Sequence, residues 1–287
     1  MDKEIIIANP IYDAAFKNLM MTSKDIASYF VGTILGEEIL DIDLLPQEYT
    51  YHSKPKKNDT ETLTLIRLDF VATIRTISGE YKKVLIEIQK TQKPTDLLRF
   101  RTYLGEKYKQ EDTITVDEKK IERALPIVVI YMLGFKLHEI EAITTKVKRT
   151  YIDLMCDIEM TNKSQFIESL THDAYFVQVP RINKDIYIDW NNCSELIQML
   201  SLFEQNYFVD ENFQKIYPYP ITNKNIKKMV ETLEYIAADP KVRRAMQEEY
   251  WATQNEILWE NQVTTLTKKV AELQKILKQA GIDYPSS

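Results

Sequence analysis

The chain is poor in glycine, cysteine and histidine, and each shortage argues against a class of site. It has only six glycines, and none belongs to a glycine-rich phosphate-binding loop, which argues against a nucleotide-driven NTPase. The two cysteines, Cys156 and Cys193, lie far apart and outside any CxxC motif. We therefore expect no disulfide framework, no zinc site and a reducing, cytoplasmic setting. The three histidines lack the spacing of metal ligands.

Long apolar runs are missing as well. No segment approaches about 18 consecutive apolar residues, and the first residues, MDKEIIIANP, contain no secretory apolar core. We therefore expect neither a membrane span nor export. The formal net charge is −6, which counts against a nuclease, so any surface for nucleic acid has to be a local basic patch.

Helical and strand periodicity alternate along the chain, which predicts an α/β fold. At residues 11–36 apolar side chains recur every three or four positions, indicating one or two helices with a break at Ser23 or Lys24. Residues 124–135 form a continuous apolar run typical of a strand buried on both faces. Further elements are predicted as a strand over 39–51, a helix over 94–110, short strands over 148–190, and helices over 194–206, 223–238 and 240–280.

Two alternating segments flank a turn and predict a β-hairpin. Residues 65–77 and 82–90 each alternate between two sets of side chains, one of them apolar. The turn sequence Ser-Gly-Glu at 78–80 separates them, and we expect it to form a three-residue loop.

The polar residues of the two strands share a face if the loop holds an odd number of residues. A three-residue loop sets Asp69 opposite Gln89 and diagonal to Glu87, on the face away from the core. Two neighbouring carboxylates repel each other unless a cation lies between them, and carboxylate and carbonyl oxygens suit Mg²⁺ or Mn²⁺. We therefore expect Asp69, Glu87 and the backbone carbonyl of Ile88 to hold a metal that activates water for attack on a phosphodiester.

The motifs around this hairpin resemble those of the PD-(D/E)XK nuclease superfamily. The three segments are YDAAFKNLM (12–20), LDFVATIRTISGEYKKVLIEIQK (68–90) and RFRTYLGEKY (99–108). In this order and spacing they are similar to the Rpn branch, which comprises recombination-promoting nucleases and transposase-like proteins. The resemblance spans residues 9–135 and continues weakly through 175–181.

The resemblance implies a restriction-endonuclease-like core, with a mixed central sheet flanked by helices, and roles for individual residues. Asp69 and Glu87 match the metal-binding acids, and Gln89 stands where the superfamily motif has lysine. A lysine orients or activates the attacking water as a cation, whereas Gln89 can only hydrogen-bond. Asp13 and Lys17, at i and i+4 on the first helix, are expected to border the site, either with Asp13 as a third acid or as a surface ion bridge.

Cationic and aromatic side chains follow the hairpin. Lys90, Arg99 and Tyr103 are the expected contacts to DNA phosphates, Arg99 by a bidentate grip and Tyr103 by stacking or a hydrogen bond. The alternative for Arg99 is that it neutralises Glu87. Residues 82–109 carry more basic than acidic side chains, which predicts a basic surface near the site, with a solvated charged face as the alternative.

The last helix carries a heptad stripe. Its apolar residues recur in alternating steps of four and three, at Trp259, Val263, Leu266, Val270, Leu273, Leu277 and Ala280. We expect a coiled coil between two copies through residues 259–280, and packing of the stripe on the chain's own helices at 194–238 is the alternative. The predicted organisation is a nuclease-like domain over 1–190, a helical region over 191–240, and a long helix with its tail over 241–287.

These expectations combine into a metal-dependent DNA endonuclease that acts in recombination, transposition or the biology of mobile elements. Catalysis is expected from Asp69, Glu87 and Gln89, with Mg²⁺ or Mn²⁺ as the cofactor and a homodimer as the assembly. One alternative is a nuclease-like fold that has lost catalysis and serves binding or assembly, which the acidic net charge and Gln89 both fit. The other is a nuclease directed at RNA.

Overall fold

The protein has a six-stranded mixed sheet at its centre, with helices packed on both faces. The computed structural model describes residues 4–52, 63–91, 94–116, 118–183, 190–210 and 213–280, and within these ranges it gives no side-chain description for 45–52, 63–69, 94–96, 191, 210 and 260. The predicted α/β class is confirmed.

The predicted elements occur in order along the chain, together with strands over 6–8, 112–116, 119–123 and 144–147 and a helix over 165–170 that the sequence pattern did not assign. The strands are β1 (Ile6–Ala8), β2 (Ile39–His52), β3 (Leu63–Thr76), β4 (Tyr81–Gln89), β5 (Asp112–Val116), β6 (Lys119–Arg123), β7 (Ile127–Leu133), β8 (Thr144–Val147), β9 (Tyr151–Asp153), β10 (Ile158–Met160), β11 (His172–Gln178), β12 (Phe208–Asp210) and β13 (Gln214–Ile216). The helices are α1 (Asp13–Thr22), α2 (Lys24–Leu35), α3 (Pro94–Lys109), α4 (Gln165–Leu170), α5 (Glu195–Leu200), α6 (Lys224–Ala238) and α7 (Pro240–Gln279). Within the described ranges, no helix is both long and apolar enough to cross a membrane.

The central sheet has the strand order β2-β3-β4-β7-β11-β8. The pairs β4-β7 and β7-β11 are parallel, whereas β2-β3, β3-β4 and β11-β8 are antiparallel. Strands covered on both faces are apolar throughout, and β7 is buried at every position except Tyr131, which is half-buried. The doubly buried strand predicted within 124–135 is therefore confirmed.

The two faces of the sheet carry separate apolar cores. The main core contains the hairpin positions predicted for the core face, as far as their side chains are described, namely Phe70, Ala72, Ile74, Val84, Ile86 and Ile88. On the opposite face, Val71 and Leu85 lie in a smaller core under Phe100 and Tyr103 of α3. The expectation that this second face lies away from the core is wrong, because α3 covers it.

A serine separates α1 from α2, at one of the two breaks that the sequence indicates. Ser23 has extended backbone angles, and its hydroxyl accepts a hydrogen bond from the Asp25 amide at 3.2 Å, which caps α2. The helix ends at Gly36, whose φ of 68° is the left-handed conformation that favours glycine. Phe16 and Phe30 join the two helices in the main core, with ring centroids 5.3 Å apart.

Residues after 190 share the packing of the N-terminal part. β1 pairs antiparallel with β13, and the main core extends from Ile7 to Met246. The boundary predicted at residue 190 is thus not a gap in the packing. Residues 191–240 also include β12 and β13 in addition to helices.

α7 consists of a packed half and an exposed half. Val242, Met246 and Tyr250 pack against the main core. The heptad stripe beyond them is exposed, with 69% exposure for Trp259 and 61% for Leu266. The alternative in which the stripe packs on helices of its own chain is therefore wrong.

A buried lysine connects β13 to the end of α5. Lys215 is 2% exposed, and its ammonium donates to the Glu204 carbonyl at 2.5 Å and to the Ser201 carbonyl at 3.5 Å. The Glu204 carboxylate is itself buried and accepts from Tyr219. Burial, opposed by the charge of Glu204, lowers the pKa of Lys215 to about 7.

We predict that Lys215→Met flattens the pH dependence of stability. The folded pKa of about 7 lies below that of an unfolded lysine, which keeps its proton up to about pH 10.4. Between these values the unfolded chain binds more protons. The free energy of unfolding therefore rises with pH, by up to about 1.4 kcal/mol per pH unit for one group.

Urea unfolding between about pH 7 and about pH 9.5, below the range in which tyrosines ionise, measures this effect. The rise should be shallower for Lys215→Met than for the wild type. Lys120→Met, at an exposed lysine of β6, is the control and should keep the wild-type slope. Equal slopes for all three proteins would contradict a lowered pKa at Lys215.

Candidate functional site

Glu87 is a buried carboxylate in the centre of the sheet. It lies near the end of β4, and its side chain is 3% exposed. It shares the face of Leu85, which α3 covers. An ionised carboxylate in such a place requires compensation, because desolvation without partners costs several kcal/mol. Arg99 of α3 provides it, since Nη2 donates to Oε1 of Glu87 at 3.3 Å. The ion pair considered as the alternative role of Arg99 is thus present.

Aromatic rings form the wall beside Glu87. Tyr131 of β7 is its cross-strand partner. The ring of Tyr131 stacks on Phe176 at 4.8 Å and packs against Phe100 at 4.6 Å between centroids. Burial, and to a lesser extent the charge of Glu87, raise the pKa of Tyr131 well above its usual range. Tyr131 therefore stays neutral at physiological pH and adds no negative charge beside Glu87.

The hairpin turn has the predicted length but begins one residue earlier. The described pairs of β3 and β4 run from Phe70↔Ile86 to Arg75↔Tyr81, and the Thr76 amide donates to the Glu80 carbonyl at 2.9 Å. The loop is therefore residues 77–79, and Gly79 adopts the left-handed conformation with φ 84°. The predicted three-residue length is confirmed, but the loop was placed at 78–80, so the register is offset by two residues.

The described pairing of β3 with β4 stops short of position 69. It ends at Phe70↔Ile86, and the pairing of β2 with β3 shifts by one residue between Leu45↔Val71 and Gln47↔Leu68, where Asp69 lies. Such a bulge interrupts the alternation of side chains, so the register does not assign Asp69 to the face of Glu87. The predicted pairing of Asp69 with Gln89 does not match this register. Asp69 lies in β3, and its side chain is outside the described part of the chain.

Hydrogen bonds hold the end of β4. The Gln89 side chain donates through Nε2 to the Thr91 carbonyl at 3.1 Å, and the Gly134 amide donates to the Gln89 carbonyl at 2.8 Å. The Ile88 side chain is in the main core, on the face opposite Glu87 and Gln89. Its carbonyl, the expected third metal ligand, lies between these two residues along the strand.

A carboxylate of α7 joins α1 to the end of β4. Glu249 accepts hydrogen bonds from the Asp13 amide at 3.0 and 3.2 Å and forms an ion pair with Lys90. The Lys90 ammonium also lies 4.8 Å from the centre of the Tyr12 ring, which places it on the α1 side, away from Glu87. No ion pair joins Asp13 to Lys17, both of which the structure describes, so the surface ion bridge is not formed.

The basic residues of 82–109 do not combine into one surface. Lys83 and Lys107 are buried, and Lys83 pairs with Asp112 at 2.5 Å. Tyr103 is 2% exposed in the smaller core, so its ring is not available to stack on a base, and the predicted contact with DNA does not fit this position. Lys93 lies outside the described residues.

The oxygen donors at the end of β4 are of the kind that Mg²⁺ prefers, namely a carboxylate, an amide and a backbone carbonyl. Among the residues that the structure describes, no group of three or more histidine, cysteine, aspartate or glutamate side chains lies close enough to hold a metal. The Asp69 side chain is not among those residues. The predicted metal site, which pairs Asp69 with Glu87, therefore lies partly outside the described side chains.

Three residues of this region have no signal in the sequence motifs. Glu249 is far from Lys90 along the chain, Tyr131 lies inside an apolar run, and Gly134 directly follows β7. Only the parallel pairing of β4 with β7 brings Tyr131 beside Glu87. A parallel register is set by long-range packing, so local periodicity does not predict it.

Comparisons with known proteins found no match to this chain. No family model matches the chain, and neither a curated protein nor a solved structure matches it. The resemblance to the PD-(D/E)XK superfamily therefore rests on the motifs of the chain itself.

We predict that Gly134→Ala destabilises the end of β4. A Cβ at this position would lie 3.0 Å from the Cα and 3.3 Å from the carbonyl oxygen of Lys90. Because both are backbone atoms, which cannot move aside as the end of a flexible side chain can, the free energy of unfolding should fall by about 1–3 kcal/mol.

Gly105 on α3 offers a matched control, because a Cβ there meets nothing within 4 Å. Alanine is favoured over glycine in a helix by about 1 kcal/mol, so Gly105→Ala should raise stability in the same urea titration. A Gly134→Ala protein as stable as the wild type would show that the close approach is not required.

Proposed function

We propose that the chain is a metal-dependent endonuclease of the PD-(D/E)XK type, which hydrolyses DNA phosphodiester bonds at the C-terminal end of β4. The observation that carries this proposal is the buried carboxylate of Glu87 near the end of a central strand, beside the strand β3 that carries Asp69. Keeping a carboxylate there is costly, and a bound cation is a reason to keep it. The resemblance favours a role in recombination or mobile elements.

The proposal requires a paired-acid site. Asp69 and Glu87 adjoin the paired residues Phe70 and Ile86 on neighbouring strands, and two carboxylates that meet there would share one cation. Asp69, Glu87 and the Ile88 carbonyl would hold Mg²⁺ or Mn²⁺, which when bound lowers the pKa of a water and stabilises charge on the phosphodiester.

Arg99 is suited to bind the substrate phosphate. Its side chain is 41% exposed, so it lies at the rim of the buried pocket and not inside it. The contact with Glu87 uses Nη2, and a guanidinium has further N–H donors that match phosphate oxygens. Arg99 would therefore link the buried acid to the scissile phosphate.

Gln89 would position the attacking water. An amide has both donor and acceptor atoms, so a residue that donates to Thr91 can also accept a hydrogen bond from water. It supplies no positive charge, in contrast to the lysine of the superfamily motif. We therefore expect a low rate of hydrolysis.

A second candidate function is favoured by the contact between Arg99 and Glu87. If this ion pair is the whole purpose of the buried acid, the chain is a nuclease-like binding or assembly module that takes up no metal. An RNA nuclease is a third candidate, and it would use the same acids as a DNA nuclease. Metal binding and a panel of substrates distinguish the three.

We predict that the purified protein nicks supercoiled plasmid in Mg²⁺ or Mn²⁺ and that Glu87→Gln reduces nicking by roughly 100-fold or more. Glutamine keeps the shape of the side chain but removes the charge that holds a cation. Glu106→Gln is the matched control on α3, because Glu106 pairs with Lys109 at 2.8 Å on the outside of the helix. This variant should cleave like the wild type.

The same proteins decide between the candidate functions. Equal cleavage by wild type and Glu87→Gln would contradict the site. Calorimetric binding of Mn²⁺ that is lost in Glu87→Gln supports a metal site, whereas a chain that neither binds metal nor cleaves is the binding module. Cleavage of RNA but not of DNA would change the proposed substrate, whereas the proposed role of the acids would stay the same.

We also propose that two copies associate through the exposed half of α7. Val263 and Val270 occupy one heptad position, and Leu266 and Leu273 occupy the other. β-branched residues at position a with leucine at position d favour parallel two-stranded coiled coils. A second copy presents the same stripe and can cover it symmetrically.

We predict that Leu266→Lys converts a dimer into a monomer, because it places a charge in the centre of the seam. Thr265→Lys adds the same charge outside the stripe, on an exposed position of α7, and should remain dimeric. Sedimentation velocity at micromolar concentration measures both. A monomeric wild type would contradict the coiled coil.

A further inference from the structure

A second cavity lies at the end of the sheet opposite to Gln89. Its volume is about 510 Å³, and it is bounded by Tyr81, Val128 and Tyr175, where β4, β7 and β11 begin. A strand rises about 3.3 Å per residue, so Lys82 in this cavity is roughly 16 Å along β4 from Glu87. The cavity is therefore separate from the site proposed for hydrolysis.

The cavity has an excess of positive charge. Six lysine and arginine side chains and four carboxylates line it, which leaves two positive charges, although the whole chain has a formal net charge of −6. Three of the cations pair with carboxylates. Lys82 pairs with Glu37 at 2.7 Å, Arg149 contacts both Glu168 at 2.7 Å and Asp173 at 2.8 Å, and Lys163 lies 3.8 Å from Glu168.

Arg123 is the lining cation with an unsatisfied donor. Its Nε is buried and has no hydrogen-bond partner among the residues that the structure describes. The guanidinium lies 5.9 Å from the centre of the Tyr81 ring. A buried donor without an acceptor is destabilising, and an anion in the cavity would accept its hydrogen bond.

Two lysines add to the charge around Arg123. A hydrogen bond to Tyr175, opposed by burial and assisted by the charge of Asp173, raises the pKa of Lys146, which is therefore charged at neutral pH. Lys148 also lines the cavity and is exposed. The two lysines and Arg123 can thus approach one anion together.

We infer that this cavity binds a small phosphate monoester. A phosphate monoester is a dianion at neutral pH, which matches the two excess charges, and a guanidinium fits its oxygens by paired hydrogen bonds. The volume lies within the range of about 300–1,000 Å³ that is usual for small-molecule sites. The rings of Tyr81 and Tyr175 provide apolar surface for the organic part of the ligand.

Calorimetric titration with adenosine 5′-monophosphate, inorganic phosphate and adenosine, without divalent metal, tests this inference. The monophosphate should bind, phosphate should compete with it, and Arg123→Gln should weaken binding by about tenfold or more. Arg75→Gln is the matched control, because Arg75 contacts the same Tyr81 ring at 5.6 Å but is not among the residues that line the cavity. Its affinity should stay within about twofold of the wild type.

Each possible outcome either supports or overturns the inference. Phosphate that binds as tightly as the monophosphate supports recognition of the phosphate group alone, and tighter binding of the monophosphate supports contact with the organic part as well. Adenosine that binds as well as the monophosphate, an absence of binding at millimolar phosphate and monophosphate, or equal loss in Arg75→Gln would overturn the inference.

Two further variants provide additional tests of the inference. If Arg123→Gln does not fold by circular dichroism, the exposed Lys148→Gln decides, and unchanged affinity in that variant would overturn the inference. Glu87→Gln should bind the monophosphate like the wild type. Failure of the proposed nuclease activity therefore leaves this test intact.

Discussion

The burial of one negative charge between two packed layers constrains this fold more than any other interaction. β4 lies between β3 and β7, with the main core on one face and α3 on the other. Glu87 projects into the smaller core, where it contacts the guanidinium of Arg99. α3 therefore has two roles. It covers the smaller core with Phe100, and it carries Arg99, the cation that pairs with Glu87.

Features that depend on local pattern were predictable. The apolar run of β7, the alternation of β3 and β4, and the break at Ser23 are each encoded within a few neighbouring residues. The position of the hairpin turn was predicted one residue too late, because it depends on a side chain. The Thr76 hydroxyl hydrogen-bonds with the Ser78 hydroxyl at 2.8 Å and accepts from the Glu80 amide at 3.2 Å, which favours closure of the loop at Thr76 and Glu80.

Features that depend on helix rotation or distant contacts were not predictable. Arg99 and Tyr103 share a face of α3, as their spacing indicates, but rotation of the helix places Tyr103 in the core and leaves Arg99 at the rim. Glu249 reaches Asp13 and Lys90 only after α7 has packed on α1. Such contacts join residues that are far apart in the sequence, so no periodic pattern of residues predicts them.

The length of α7 gives its attachment a mechanical meaning. At 40 residues, an uninterrupted helix is about 60 Å long. Its near end is fastened by Glu249 to the backbone of α1 and to the residue that follows Gln89. The direction in which the exposed half of α7 projects is thereby coupled to the end of the strand that carries Glu87.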